Sequence, residues 1–360
     1  MAKNSLFNGM PVIDGHLHIH SLEDENGVLF IDGFERYREE FGFRGLNIAC
    51  LPSGTRDVSN NIICALYKVA HEDTYVHAGL IYNESPRECE GMSPLEQYKE
   101  LMEIGFDGIK MLEGKPSCYR AIGSIPLDDP FYDEFYSACE RDGTHILSHV
   151  ADPEEFWDES CVSDEEKAKG WCYAGEGYPT KEELTVQVER LLEKHPKLNL
   201  TLAHFFFLSR TPKRLASLFE KYENLATDIT PGGEMFVAFN DDYDYFRDFF
   251  TRYSNRILLG TDGDSLPAWA KAMDWLADRL YKYVATDIET DAWSPRPLKG
   301  LKLDYQDAKN ILGDNFARRV SEKPKKINKS ALRAYFEKYK HMIKDKELLN
   351  KLEKLVNELL

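Results

Sequence analysis

Apolar residues along this chain gather into short, nearly unbroken runs instead of alternating with polar ones. Eight such runs stand at 11–19 (PVIDGHLHI), 46–52, 75–82, 108–112, 145–150, 199–207 (NLTLAHFFF), 224–229 and 256–262 (RILLGTD). Unbroken apolar strands belong to a sheet covered on both faces, which means a parallel sheet. Between the runs lie segments with helical spacing, such as 57–73, 93–105 and 180–196. They open near Ser, Thr, Asp or Pro and several close near Gly or Pro, as helix caps and stops require. Alternation of β and α at this spacing predicts a parallel α/β architecture, and eight repeats favour closure into a (β/α)8 TIM barrel.

Two segments do not fit the repeat. Residues 151–179 form a long insertion after the fifth run, rich in acids, Trp and Gly. Its place at the C-terminal face of the barrel predicts a lid over the site. After a closing helix at 305–320, residues 321–360 read as a basic helical extension, so the expected division is a barrel over 1–320 and an extension over 321–360.

Composition narrows the function. The formal charge is −17, and because residues 321–360 carry +5, residues 1–320 carry −22. That balance disfavours nucleic acid and anionic membranes as partners. No stretch approaches the roughly 20 apolar residues of a bilayer span. The opening residues lack the apolar centre of a signal peptide, so a cytoplasmic location is expected. Seven scattered cysteines without a C-x-x-C pattern fit reduced thiols rather than a disulfide framework. Cys50 and Cys139 read as small core residues. A small-molecule substrate, with room for a homo-oligomer, is the remaining expectation.

The chemistry concentrates at strand ends. His16 and His18 are two apart on a strand and so share one face, about 7 Å along it. An H-x-H pair alone also fits two buried structural histidines. Here it ends the first strand, at the face where barrel enzymes keep their sites. His149 ends the fifth run, His204 lies in the sixth, and Asp262 ends the eighth. His77 and His145 start strands, where a structural role is expected, and His195 sits on a helix, where solvation is expected.

Together V-I-D-G-H-L-H, H-V-A-D-P, L-A-H, I-L-L-G-T-D and I-L-G-D-N-F-A-R-R resemble the amidohydrolase superfamily. The branch most resembled contains aminocarboxymuconate-semialdehyde decarboxylase, γ-resorcylate decarboxylase and pyrone-dicarboxylate lactonase. The resemblance covers about residues 10–320. It implies a divalent metal, Zn2+ or alternatively Mn2+, held by His16, His18, His149 and Asp262. Asp262 would also handle the proton of the reacting water, and His204 would act as a nearby acid or base. In relatives with two metals the strand-6 histidine is itself a ligand and a carboxylated strand-4 lysine bridges the ions. Lys110 stands at that strand-4 position.

Three readings of Lys110 stay open: a carbamate bridge, an internal salt bridge, or a contact to a substrate carboxylate. Arg56 and Trp171 are further candidates for substrate binding. Three neutral imidazoles and one carboxylate would leave a zinc ion one net positive charge and an open position. The expected activity is a metal-dependent hydrolase opening a lactone, amide or similar bond of a small carboxylated substrate. The alternative is a nonoxidative decarboxylase of an aromatic or unsaturated acid.

Overall fold

Each of the eight runs forms a strand. The computed structural model describes residues 7–20, 33–52, 58–83, 86–88, 92–175, 177–264, 273–291 and 296–360. The strands are β1 (Ile13–His18), β2 (Gly45–Ala49), β3 (Tyr75–Gly79), β4 (Gly108–Gly114), β5 (His145–Val150), β6 (Leu200–Leu202), β7 (Leu225–Asp228), β8 (Ile257–Leu258) and β9 (Gly263–Asp264). They are parallel and paired in chain order, from β1 against β2 through to β7 against β8. β8 lies within the eighth run and β9 follows directly after its end. The first pairs with β7 and the second with β1, in the register Leu17 to Gly263 and His18 to Asp264, so the ring closes into the expected (β/α)8 barrel.

Helices cover the outside for local reasons. The helix Pro94–Ile104 starts at a Ser93–Glu96 capping box and stops at Gly105, whose φ of +102° is in the left-handed region. The helix Lys181–Lys194 repeats the device with Thr180 and Glu183. Inside the ring Phe316 plugs the N-terminal end, edge-on to Tyr75 with centroids 5.1 Å apart. It comes from the closing segment, which is not one helix. Tyr305–Lys309 and Asn315–Arg319 are joined by a π-helical turn at Asn310–Asp314.

The sixth run departs most from expectation. β6 ends at Leu202, and His204, Phe205, Phe206 and Phe207 then take φ values of 56°, 55°, 54° and 49°. Four consecutive left-handed residues without a glycine are strained, at about 1–2 kcal/mol each. Burial of Phe205 between Phe239, Phe249 and Phe250 supplies an opposing force.

The basic extension folds as two helices, Lys329–Tyr339 and Lys346–Leu359. Leu332, Tyr335 and Leu352 join the apolar cluster of the barrel. The backbone amides of Lys325 and Asn328 bond Asp107 and the Ile104 carbonyl. His195, expected to be solvated, is buried instead and packs against Tyr136, because its helix ends against the barrel. Cys50 and Cys139 are fully buried.

Candidate metal centre

β1 delivers His16 and His18 to the barrel mouth, and the chain between β8 and β9 brings Asp262 to meet them. Gly260 permits this approach, since a Cβ there would collide with Thr230 Oγ1 and the His16 Cβ. The Asp262 amide bonds the His16 carbonyl at 2.9 Å, and Asp262 takes a φ of +58°. One donor atom from each of His16, His18 and Asp262 lies within 4.8 Å of the others.

Hydrogen bonds behind each imidazole set its tautomer. His16 Nδ1 donates to Asp228 Oδ2 at 2.9 Å, and His18 Nδ1 donates to the Ala49 carbonyl at 2.7 Å. His204 Nδ1 donates to the Thr230 carbonyl at 3.1 Å, and His149 Nε2 donates to Asp152 Oδ1 at 3.0 Å. Each ring therefore turns a bare nitrogen away from its support. These supports are the kind that orient ligating histidines and raise their basicity.

The bare Nε2 of His16 meets the Lys110 ammonium at 2.8 Å, and the other rings face a carboxylate or each other. His18 Nε2 is 3.1 Å from Asp262 Oδ1, and His204 Nε2 is 3.1 Å from His149 Nδ1. Burial lowers the His16 pKa to about 3, and Lys110 pushes it the same way. Burial also lowers His149 and His204, so these rings are neutral. Burial would raise the Asp262 carboxyl, but its contact with His18 holds it well below the carboxylate range. His149 and His204 bring acceptor against acceptor, a contact that a cation would satisfy. Imidazole nitrogens with a carboxylate are a donor set that suits zinc. The residues present thus fit a divalent metal.

The structure does not bring all the expected residues to one point. His149 lies outside the His16, His18 and Asp262 cluster and pairs with His204. Lys110 Nζ is 2.8 Å from His16 Nε2 and fully buried, and burial lowers its pKa to about 8 against the opposing pull of Asp262 and Asp228. Arg56 lies outside the described residues. The mouth opens into a cavity of about 1160 Å³ whose lining includes His18, Lys110, His149, His204, Asp262 and Trp171.

The insertion stands over this cavity. Phe156 and Trp171, stacked with centroids 6.0 Å apart, form part of its wall, while Trp157 and Tyr173 pack against each other. Two residues escaped sequence reasoning. Lys115, after β4, is 2.8 Å from Asp152, 3.4 Å from His149 Nε2 and 5.1 Å from the centre of the Trp171 ring. Asp152 also accepts from the Tyr173 hydroxyl at 2.5 Å, and although burial opposes it, Lys115 and His149 lower its pKa. Asp152 stood in the H-V-A-D-P motif, three residues after His149, without a role of its own.

The family model for amidohydrolases matches residues 90–320, and the chain belongs to that family, whose enzymes are generally metal-dependent. Among solved structures it is similar to a probable 2-pyrone-4,6-dicarboxylic acid hydrolase from Acinetobacter baumannii with citric acid bound, at 13% identity over 86% of this chain and 99% of that chain (TM-score 0.50). It is similar to an uncharacterised TIM-barrel protein from Bordetella bronchiseptica at 13% identity over 86% and 98% of the two chains (TM-score 0.51). The apo IDCase of Metarhizium anisopliae is likewise similar, at 13% identity over 87% and 98% (TM-score 0.51). At such identities the likeness carries the barrel and not the reaction. No curated protein sequence matches the chain.

Proposed function

We propose that this chain is a metal-dependent hydrolase holding one zinc ion through His16, His18, Asp262 and His149, and acting on a lactone, amide or similar bond of a small carboxylated substrate. The observation that carries the reading is the convergence of His16, His18 and Asp262 within 4.8 Å, with His18 and Asp262 on the wall of a cavity. A zinc ion held there supplies Lewis acidity and lowers the pKa of water toward 7. The remaining work belongs to side chains. Asp262, ionised and set on the cavity wall, accepts the proton of the attacking water and returns it to the leaving group. His204, fixed by its bond to Thr230, presents Nε2 to the developing charge or the proton in transit. Lys110 places a charge-assisted contact beside the reacting group.

Elemental analysis and a panel of lactones, amides and aryl carboxylates test this. One zinc per chain and products that have gained one water are expected. Products that have lost carbon dioxide with no water added would replace hydrolysis by decarboxylation.

A second reading has its own observation. The facing bare nitrogens of His149 and His204 fit a second ion, with Lys110 carboxylated between the two. A pKa near 8 leaves a fraction of neutral amine for that reaction. Two metals per chain, rising with bicarbonate during loading, would establish this arrangement in place of the single ion.

A further inference from the structure

Of the proposed ligands, His149 is the one that stands outside the cluster of His16, His18 and Asp262, so what orients it matters. Its Nε2 donates to Asp152 Oδ1 at 3.0 Å. Asp152 lies at the root of the insertion after β5 and is 3% exposed. A carboxylate taken that far from water must be met by donors. Among the described residues, Lys115 Nζ and His149 Nε2 share its Oδ1, and the Tyr173 hydroxyl alone reaches its Oδ2, at 2.5 Å.

Tyr173 sits on the returning limb of the insertion and is the buried centre of a small core that belongs to the lid itself. Its ring is 5.0 Å from Trp157, 5.1 Å from Tyr178 and 6.1 Å from Phe156. Its amide donates to the Phe156 carbonyl at 2.7 Å, and Trp157 Nε1 donates to the Pro179 carbonyl at 3.0 Å. Ser117, on the cavity wall, is a second partner of the Tyr173 hydroxyl. The ion pairs at the edge of the insertion, Arg210 with Glu155 and Lys181 with Glu154, each leave one side chain more than half exposed. Pairs so exposed hold little. The Tyr173 hydroxyl is therefore where the packed lid grips the carboxylate behind His149.

We infer that Asp152 is a positioning residue that links the lid to His149. With Tyr173 on Oδ2, the carboxylate is held so that Oδ1 keeps the proton of His149 on Nε2 and leaves Nδ1 bare. This deepens the proposed function and rests on it for the part His149 plays toward zinc. Without the hydroxyl, Oδ2 is buried with no donor, so the carboxylate turns to recover one and carries Oδ1 away from His149. The imidazole then favours the tautomer with its proton on Nδ1, bonded to His204 Nε2 at 3.1 Å, and a protonated nitrogen binds no metal. Coupling of this kind is reciprocal, so an ion held by His149 also holds the lid down.

The test compares the full-length chain with Asp152→Asn, Tyr173→Phe and Tyr178→Phe, the last of which removes from the same lid core a hydroxyl that bonds no described residue. In metal-free protein labelled with 15N at histidine, two-bond 1H–15N spectra at pH 8 read the His149 tautomer, with His149→Gln supplying the assignment. The proton is expected on Nε2 in the parent and in Tyr178→Phe, and shifted toward Nδ1 in the other two. Zinc affinity, measured against a competing chelator, is expected to fall about tenfold or more in Asp152→Asn and about fivefold in Tyr173→Phe, and to stay within about twofold in Tyr178→Phe. Saturating zinc should slow proteolytic cleavage within residues 151–179 in the parent and in Tyr178→Phe, and lose that effect in Tyr173→Phe. A Tyr173→Phe protein with the parent's His149 signals and zinc affinity would overturn the inference. So would an equal loss of zinc in Tyr178→Phe, which would make the effect one of lid packing. A parent that takes up no zinc would remove the proposed function, while a His149 proton that moves in Tyr173→Phe and stays in Tyr178→Phe would leave the linkage standing.

Discussion

Two layers of histidine lie inside this barrel, and they differ in what their nitrogens face. In the lower layer His77 Nδ1 donates to Asn47 at 2.7 Å, His145 Nδ1 donates to His77 Nε2 at 2.8 Å, and Thr201 donates to His145 Nε2 at 2.8 Å. Every donor there has an acceptor, so the layer is closed and needs nothing further. In the upper layer the spacing is similar, yet His204 and His149 turn bare nitrogens on each other, His18 faces the Asp262 carboxylate, and only His16 Nε2 meets a donor, Lys110. The residue type is the same in both. The backbone and carboxylate acceptors behind the upper rings decide which layer is complete and which is left for a cation.

The largest effect should separate the layers outright. His16→Ala combined with His18→Ala is expected to lower zinc affinity more than about 100-fold while the melting temperature of the metal-free protein stays nearly constant. His145→Ala should do the reverse, costing about 2–4 kcal/mol of stability by breaking the donor chain, with zinc retained. Metal analysis beside chemical denaturation of both variants reads this. Equal zinc loss in the two would erase the distinction.

Within the upper layer, Asp262→Asn keeps an oxygen and removes a base. It is expected to lower turnover by about 10²–10⁴-fold while losing much less zinc than the double histidine variant. Zinc loss matching that variant would make Asp262 a ligand and nothing more.

Lys110→Met sharpens the role of the cation between the layers' chemistry and the cavity. With one ion, zinc stays at one per chain and KM for a carboxylated substrate rises by about tenfold with little change in kcat. A fall in metal content would point to the bridging role.

The smallest effect concerns a buried acid outside both layers. Glu113 on β4 accepts from the Tyr82 hydroxyl at 2.7 Å, and burial raises its pKa from 4.5 to about 7. The folded protein therefore holds this proton more tightly than the unfolded chain. The sign follows: stability falls as pH rises from about 4.5 to 7, by up to about 3 kcal/mol. Glu113→Gln is expected to flatten that part of the pH–stability curve, as read by denaturation at pH 5 and pH 8. An unchanged slope would show that Glu113 is not the group responsible.

Much of the architecture was legible because it rests on pattern. Each of the eight apolar runs contains a strand, and His77 and His145 were separable from His16, His18 and His149 by whether a residue starts or ends its run. What could not be read depended on contacts distant in sequence. The run 199–207 looks like one long strand, but aromatic packing onto Phe205 from the helices Gly233–Asp241 and Tyr243–Arg252 bends its second half into a left-handed turn. Lys115 gave no motif, because its meaning comes from Asp152 and Trp171, 37 and 56 positions later. The docking of residues 329–359 beside the cavity was equally hidden, since nothing in an amphipathic helix says which groove receives it.

The seam of the ring has a consequence in time. His16 and His18 leave the ribosome early, whereas Asp262 and its partner strand come about 250 residues later. A nascent chain ending before β8 carries both imidazoles but lacks the carboxylate and the strand register that hold all three together. Capture of the proposed ion would thereby be coupled to the last long-range pairing of the barrel. Because an ion that binds only the closed ring stabilises it by mass action, the proposed centre would act as a latch on the finished barrel.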